Sequence, residues 1–446
     1  MNNKNKNLHN WHNLHNSYHN RFLWGGKESI ENRFNMLNFT LPKSSINNIE
    51  LLFESITNIN ILDNECLLLE NKLNDIKNKL DEVYKFNENL LNSILLINYP
   101  MKNLRYKVAK IIDVDVEFLS NAWLKCVEMI KYFNLMDCSI DNFYYFDNAS
   151  FPGSFVLASH YYYFNTCGRN NQQNKTFEWY ANSLIESLDY IKTPLADKYS
   201  LFNNNKDNWM MYINGNNGDV TNIDVIRNIE KYHDHKVNLY TSDLGFDTSD
   251  DYGSQELVHI IPHLGQILCG LVSLKKEGNL VCKLYTYFTQ FNINLMFLLT
   301  FLFDKVYICK PITSRYRNSE TYIVCKNFGG NQNNNYKIIV NKLMSIIESK
   351  KKIIDINQNL MSKEFVHIIN ISLKQIFGIA QYNSLKEIIE LFNKYKEYVG
   401  TINDKDLNNK IKQENDFYNI SSQQFDQWIN FIGIRRINKR LNIKKD

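Results

Sequence analysis

VNLYTSDLG (237–245), HIIPHLGQILCGLVSL (259–274), GNLVCKLYTY (278–287), INLMFLLTFLF (293–303), KVYICKP (305–311) and ETYIVCKNF (320–328) follow one another along the chain. Short runs rich in β-branched and aromatic residues read as strands, and the longer apolar runs between them as helices. Upstream, FYYFDNA (143–149) reads as a further strand that ends in the turn FPGSF (151–155). Strands alternating with helices predict a mainly parallel sheet wrapped by helices, an α/β fold. KVYICKP and ETYIVCKNF are separated only by residues 312–319. That is too short for a helical crossover, so these two strands are expected to form an antiparallel hairpin at the sheet edge.

Outward from this block, residues 45–117 read as helical. Cys66, Leu69, Leu73, Ile76, Leu80 and Val83 alternate by three and four, a seam under three heptads long. A seam of that length suits an intramolecular helix pair better than a dimerising coiled coil. Residues 1–44 read as a polar tail and loop. Within it His9, His12, His15 and His19 recur at spacings of three, three and four. On a helix they would share a face and suit a metal; the other reading, which carries more weight because no Cys, Asp or Glu accompanies them, is a polar tail. NFGGNQNNNYK (327–337) is a turn-rich linker, and residues 331–446 read as helices that end in RRINKRLNIKK. Arg435, Arg436, Lys439 and Arg440 there suit either phosphate contacts or an ordinary charged helix end.

The bulk composition bounds these readings. The 446 residues are 44% hydrophobic and 13% aromatic, enough for a substantial core. A net charge of +4 and a pI near 8.4 lie below the footprint of a strong nucleic-acid binder. A local basic groove is compatible with both values. The eight cysteines are scattered with no CxxC pair, which argues against a zinc ribbon and predicts buried free thiols in a reducing compartment. The first twenty residues are polar, so no secretory signal is expected. The longest apolar run, Ile293 to Phe303, is too short for a bilayer and reads as a core helix. An intracellular protein without a membrane segment is the expectation. Frequent Asn, Ile and Lys with 6 Pro is a coding-bias signature of an AT-rich genome.

Ligands of open α/β sheets bind beyond the carboxyl ends of the strands. Asn148, Pro152, Gly153 and Phe155 follow the first strand, and a Gly there lets backbone approach a ligand. Asp243 and Asp247 follow VNLYTS, Lys283 lies inside GNLVCKLYTY, and Glu320 precedes the last strand. A lysine in a central strand is uncommon, because such strands are covered on both faces. One reading of Lys283 with Asp243 is a structural ion pair. The other is catalytic: burial and neighbouring cations disfavour the protonated form of a lysine, and a neutral lysine takes a proton from a hydroxyl.

Several ordered segments together resemble the FtsJ-like 2′-O-methyltransferases, and more closely the adrift-type messenger-RNA cap ribose methyltransferases. They are NAWLKCVEMI, FPGSF, FEWYANSL, NGNNGDVTN, YTSDLGFD, GNLVCKLYTYFTQFNINLMFLL and KPITSRYRNSETYIVC, within residues 118–330. The resemblance implies a Rossmann-like methyltransferase sheet over 118–330, flanked by helical N- and C-terminal regions. It implies S-adenosyl-L-methionine as cofactor, capped mRNA as substrate and no metal. It assigns Lys125, Asp243, Lys283 and Glu320 as a catalytic tetrad, with Lys283 as general base. It puts Gly153, Phe155, Tyr180, Asp219 and Asp243 at the cofactor, Asp219 beside the adenine. Phe151 stands where the family has a small residue. With the coding bias, the resemblance implies a large DNA virus, hence a cytoplasmic replication site or virion as location, and helical flanks suited to other capping or transcription proteins. Two alternatives stay open: a 2′-O-methyltransferase of structured rRNA or tRNA, and a non-catalytic RNA-binding or scaffold subunit of a capping complex.

Overall fold

The computed structural model describes residues 29–97, 101–167, 175–185, 197–215, 217–245, 255–414 and 417–436. Its seven strands are β1 (Asn38–Leu41), β2 (Asn142–Asn148), β3 (Thr176–Asn182), β4 (Val237–Ser242), β5 (Leu274–Leu284), β6 (Phe303–Cys309) and β7 (Thr321–Phe328). They form one sheet in the order β1-β6-β7-β5-β4-β2-β3. β3, β2, β4 and β5 are parallel, while β7 runs antiparallel to both β5 and β6. β6 therefore points the same way as the parallel four, and the sheet is mainly parallel. β2 sends the chain to β3 on one side and is flanked by β4 on the other. The strand order reverses there, and the carboxyl ends of β2 and β4 open the crevice expected at a switch point.

Burial explains the sequence pattern. Every residue of β4 is buried, the signature of a parallel strand covered on both faces. The helix Gln255–Ser273 packs on β4 and β5, and the helix Gln290–Leu302 on β6 and β7. The former is apolar and long enough to cross a membrane by length and composition alone, yet 83% of its most apolar window is buried within this fold. The helix Asn121–Phe133 starts where Ser120 Oγ accepts from Trp123 N at 3.0 Å, and it ends at Asn134 in the left-handed conformation. Such caps satisfy backbone groups that the helix leaves unpaired at its ends.

The flanks belong to the same packing system. The helix Asn64–Phe86 buries Cys66, Leu69, Leu73 and Ile76 and packs against Lys374–Tyr382 and Asn383–Tyr395. The three-and-four seam thus closes within the chain, each buried Leu or Ile contributing about 1.5–3 kcal/mol by leaving water. A smaller core joins Leu90, Leu91 and Ile94 to Ile388, Phe392 and Tyr395.

Some expectations need revision. Within residues 1–44, Ile30–Met36 is a helix and Asn38–Leu41 is β1, which pairs outside β6. The β6–β7 hairpin is therefore one strand in from the edge. Cys138 and Cys167 form a disulfide, their Cα atoms 4.6 Å apart, so not all thiols are free. The turn after Asn121–Phe133 and the end of the segment Tyr163–Cys167 meet there. Cys66, Cys126, Cys269, Cys282, Cys309 and Cys325 are buried and unpaired. His9, His12, His15, His19, Asp247, Lys439 and Arg440 lie outside the described residues. Arg436 pairs with Asp113, its Nε 3.2 Å from Oδ2, which accounts for one cation of the terminal basic cluster.

Candidate active site

The four residues Lys125, Asp243, Lys283 and Glu320 come from four separate elements and meet at the strand ends. Lys125 projects from the helix Asn121–Phe133, Asp243 follows β4, Lys283 is next to last in β5, and Glu320 precedes β7. Lys125 Nζ lies 3.1 Å from Glu320 Oε2 and 3.8 Å from Asp243 Oδ2. Lys283 Nζ lies 3.2 Å from Asp243 Oδ1 and donates to the Asp243 carbonyl at 2.8 Å. Cations and anions therefore alternate: Glu320, Lys125, Asp243, Lys283. Tyr322 Oη donates to Asp243 Oδ1 at 2.6 Å. Burial, then the neighbouring Asp243 and Glu320, push that phenol well above its usual range, so it stays a donor. For Glu320 burial favours the neutral acid, but Lys125, Lys283 and Lys310 outweigh it and hold the carboxyl at about 2.

Beside this cluster, the ends of β2, β3 and β4 form a polar crevice. Gly153 caps the helix Ser154–Tyr162 with φ +109°, and an added Cβ would stand 2.5 Å from Leu201 Cδ1. Phe155 is buried beneath this turn. Gly218 has φ +75°, and its added Cβ would stand 1.9 Å from the Ser183 carbonyl. Only glycine lets the 217–219 loop lie so close to the end of β3. Asn182 Nδ2 bridges Asn148 Oδ1 at 2.9 Å and the Gly218 carbonyl at 3.0 Å. Asp219 follows directly, accepting from Thr221 N at 2.8 Å. Asn182 Oδ1 and Ser242 Oγ are buried without a hydrogen-bond partner, while Ser150 faces the Asp147 carboxyl. Two orphaned polar atoms at the ends of β3 and β4 fit a polar ligand that would complete their bonds. Burial pushes the Asp147 carboxyl up to about 7.

Tyr180 does not join this crevice. Its ring stacks on Tyr144 at 5.2 Å and packs against Tyr232 and His233. The polar group that β3 brings to its carboxyl end is Asn182 instead.

An FtsJ-like methyltransferase family model matches residues 118–328. The chain is 31% identical over 344 residues to "Probable methyltransferase EP424R" of African swine fever virus, covering 72% of this chain and 77% of that protein. The chain belongs to the FtsJ-like methyltransferase family. It is also 26% identical over 287 residues to "Cap-specific mRNA (nucleoside-2'-O-)-methyltransferase 2" of Pongo abelii, covering 60% of this chain and 34% of that protein. A third relative, "Uncharacterized protein L511" of Acanthamoeba polyphaga mimivirus, is 26% identical over 323 residues, covering 66% of this chain and 39% of that protein.

In this FtsJ-like methyltransferase three buried ions that the sequence reading passed over hold the cluster in place. Lys310, just after β6, donates to the carbonyls of Asn318 and Glu320 at 2.7 and 2.8 Å. Burial lowers it to about 8, although Glu320 favours its charge. Glu128, one turn after Lys125, accepts from Ile312 N at 2.6 Å, from Thr313 N at 3.1 Å, from Thr313 Oγ1 at 2.7 Å and from Trp428 Nε1 at 3.1 Å. It fastens the 310–319 loop, and the C-terminal helix, to the helix that carries Lys125. Glu256 does the same after β5, accepting from Thr286, Phe288, Thr289 and Asn292. The signal for Glu128 and Lys310 was present in LKCVEMI and YICKP: an ionisable residue inside an apolar run is costly unless paired.

Proposed function

We propose that this methyltransferase transfers a methyl group from S-adenosyl-L-methionine to the ribose 2′-hydroxyl of a cap-proximal nucleotide of mRNA. The observation that carries the proposal is the alternating Glu320–Lys125–Asp243–Lys283 cluster at the strand ends. The similarity to a cap-specific 2′-O-methyltransferase supports the substrate class. Relatives from two viruses support an intracellular site of action, a cytoplasmic replication site or the virion.

The cofactor, when bound, supplies an electrophilic methyl on a sulfonium. The turn at Gly153 and Phe155, the 217–219 loop with Asp219, and the orphaned atoms of Asn182 and Ser242 would hold it. Lys283 Nζ accepts the proton of the 2′-hydroxyl. Asp243 holds that amine through Oδ1 and its carbonyl, and Tyr322 fixes the carboxylate from the other side. Lys125, tethered by Glu320, steadies the oxygen that becomes nucleophilic. Alignment and one base suffice for such a transfer, and a fixed geometry lowers much of its barrier.

The test is methyl transfer from labelled S-adenosylmethionine to a short capped RNA and to its uncapped counterpart. Label on the ribose of the first or second nucleotide of the capped RNA is expected. Equal label on uncapped structured RNA would move the substrate to rRNA or tRNA. No transfer despite cofactor binding would overturn the proposal.

A further inference from the structure

A cleft of about 890 Å³ opens beside the cluster, and Tyr285 and Glu320 line it. Its other walls come from outside the methyltransferase sheet. Lys77, Tyr84 and Lys85 belong to the helix Asn64–Phe86, and Gln381 and Leu385 to the C-terminal helices. We propose that this cleft receives the single-stranded RNA that flanks the methylated nucleotide, so that both helical flanks form one wall of the polynucleotide site. The inference rests on the functional reading above and adds where the RNA runs.

Charge is the first argument. The whole chain holds 51 cations against 47 acids, but the cleft is lined by Lys77, Lys85, Arg315 and Arg317 against Asp81 and Glu320. Glu320 is paired with Lys125. With Glu70 included, which interacts with Lys77, the four cations still outnumber three acids. The local excess is positive, as a phosphate backbone requires, and it arises where two flanks and the 310–319 loop converge. An acidic peptide would use the same charge, but the second argument separates the two. Tyr84 is 47% exposed at the rim, with its hydroxyl tied to Glu88 at 2.7 Å. Tyr285 lines the cleft from below, buried with its ring against His259 at 4.5 Å, so the exposed face is that of Tyr84. Aromatic faces interleaved with cations are the platform on which bases stack. The third is a buried acceptor. Gln381 is fully buried and donates through Nε2 to the Arg317 carbonyl at 2.9 Å and to Ser319 Oγ at 3.1 Å. Its Oε1 has no partner. A base amine entering the cleft would supply the missing donor, whereas a bare phosphate would not.

The experiment measures binding of a fluorescent ten-nucleotide single-stranded RNA to the full-length protein across a salt series, alongside KM for RNA and for S-adenosylmethionine. Lys77→Ala/Lys85→Ala should weaken binding and lower the log–log salt slope by about 1.4, two contacts at roughly 0.7 each. Tyr84→Ala should weaken binding about 5- to 150-fold with the slope unchanged. Lys79→Ala, exposed elsewhere on the same helix, should match the wild type in both readings. KM for S-adenosylmethionine should stay constant throughout. A wild-type protein that methylates RNA, with all three variants unchanged in affinity, slope and KM, overturns the cleft assignment and leaves methyl transfer standing. A wild-type protein that binds S-adenosylmethionine but neither binds nor methylates RNA overturns both. Unchanged RNA binding with loss of a bound protein partner in the variants would overturn it in favour of a protein-docking surface.

Discussion

Glu320→Gln removes one anion from a cluster whose electrostatics set a measurable stability. The folded carboxyl is held near 2, against 4.5 for an ordinary Glu. That depression corresponds to about 3 kcal/mol of preference for the ionised form in the folded state. The sign follows from the depressed value: this contribution is complete well above 4.5 and is lost as pH falls through 2. Roughly half of it is gone by pH 3. The expected loss in Glu320→Gln is therefore about 3 kcal/mol at pH 7, in the range found when one partner of a buried pair is removed. Part of that loss is the loosening of Lys125, which keeps Asp243 at 3.8 Å and the Tyr322 ring at 5.4 Å. The assay is urea unfolding of both proteins at several pH values between 7 and 3, with the difference in unfolding free energy plotted against pH. A difference that shrinks toward acid supports the reasoning. A difference below about 1 kcal/mol at pH 7, or one that does not change with pH, would refute it.

Other outcomes follow from the same geometry. Glu128→Ala leaves four donors without their acceptor; at about 1–3 kcal/mol for each unpaired buried group it should lower Tm by many degrees and slow methyl transfer, as calorimetry and single-turnover rates would record. Lys310→Met strands the carbonyls of Asn318 and Glu320, and about 2–6 kcal/mol of lost stability is expected in urea titrations. Gly218→Ala drives a Cβ to 1.9 Å from the Ser183 carbonyl, whereas Gly215→Ala meets nothing within 4 Å. The first should weaken S-adenosylmethionine binding tenfold or more, about 1.4 kcal/mol, and the second much less, as titration calorimetry will tell.

The parts legible in the sequence were those with a period or an ordered set of motifs. β4 and β5 declared themselves through the short β-branched, aromatic and apolar runs VNLYT and NLVCKLY, and Gln290–Leu302 because nearly every residue in it is apolar and buried. The spacing between KVYICKP and ETYIVCKNF was enough to make β6 and β7 antiparallel, but it said nothing of β1. Four residues of NFTL have no periodicity, and β1 exists because β6 offers it an open edge. The resemblance named Lys125, Asp243, Lys283 and Glu320; their meeting depends on strand order, which no local pattern encodes. Tyr180 packs on Tyr144, two residues short of the end of β3, because a motif locates a segment near a strand end without fixing which of its residues reaches the crevice. Glu128 and Glu256 were passed over because their partners lie 30 or more residues away in sequence, and Lys310 because its partners are backbone carbonyls, which no side-chain pattern marks. The disulfide was missed because a 29-residue separation carries no pairing signal of its own.

The most direct test is single-turnover methyl transfer to capped RNA by the wild type and by Lys283→Ala, with S-adenosylmethionine affinity measured on both. If Lys283 Nζ takes the 2′-hydroxyl proton, the variant should bind the cofactor nearly as well and transfer essentially no methyl. Substantial residual turnover in Lys283→Ala, with the label still on the ribose, would contradict the account.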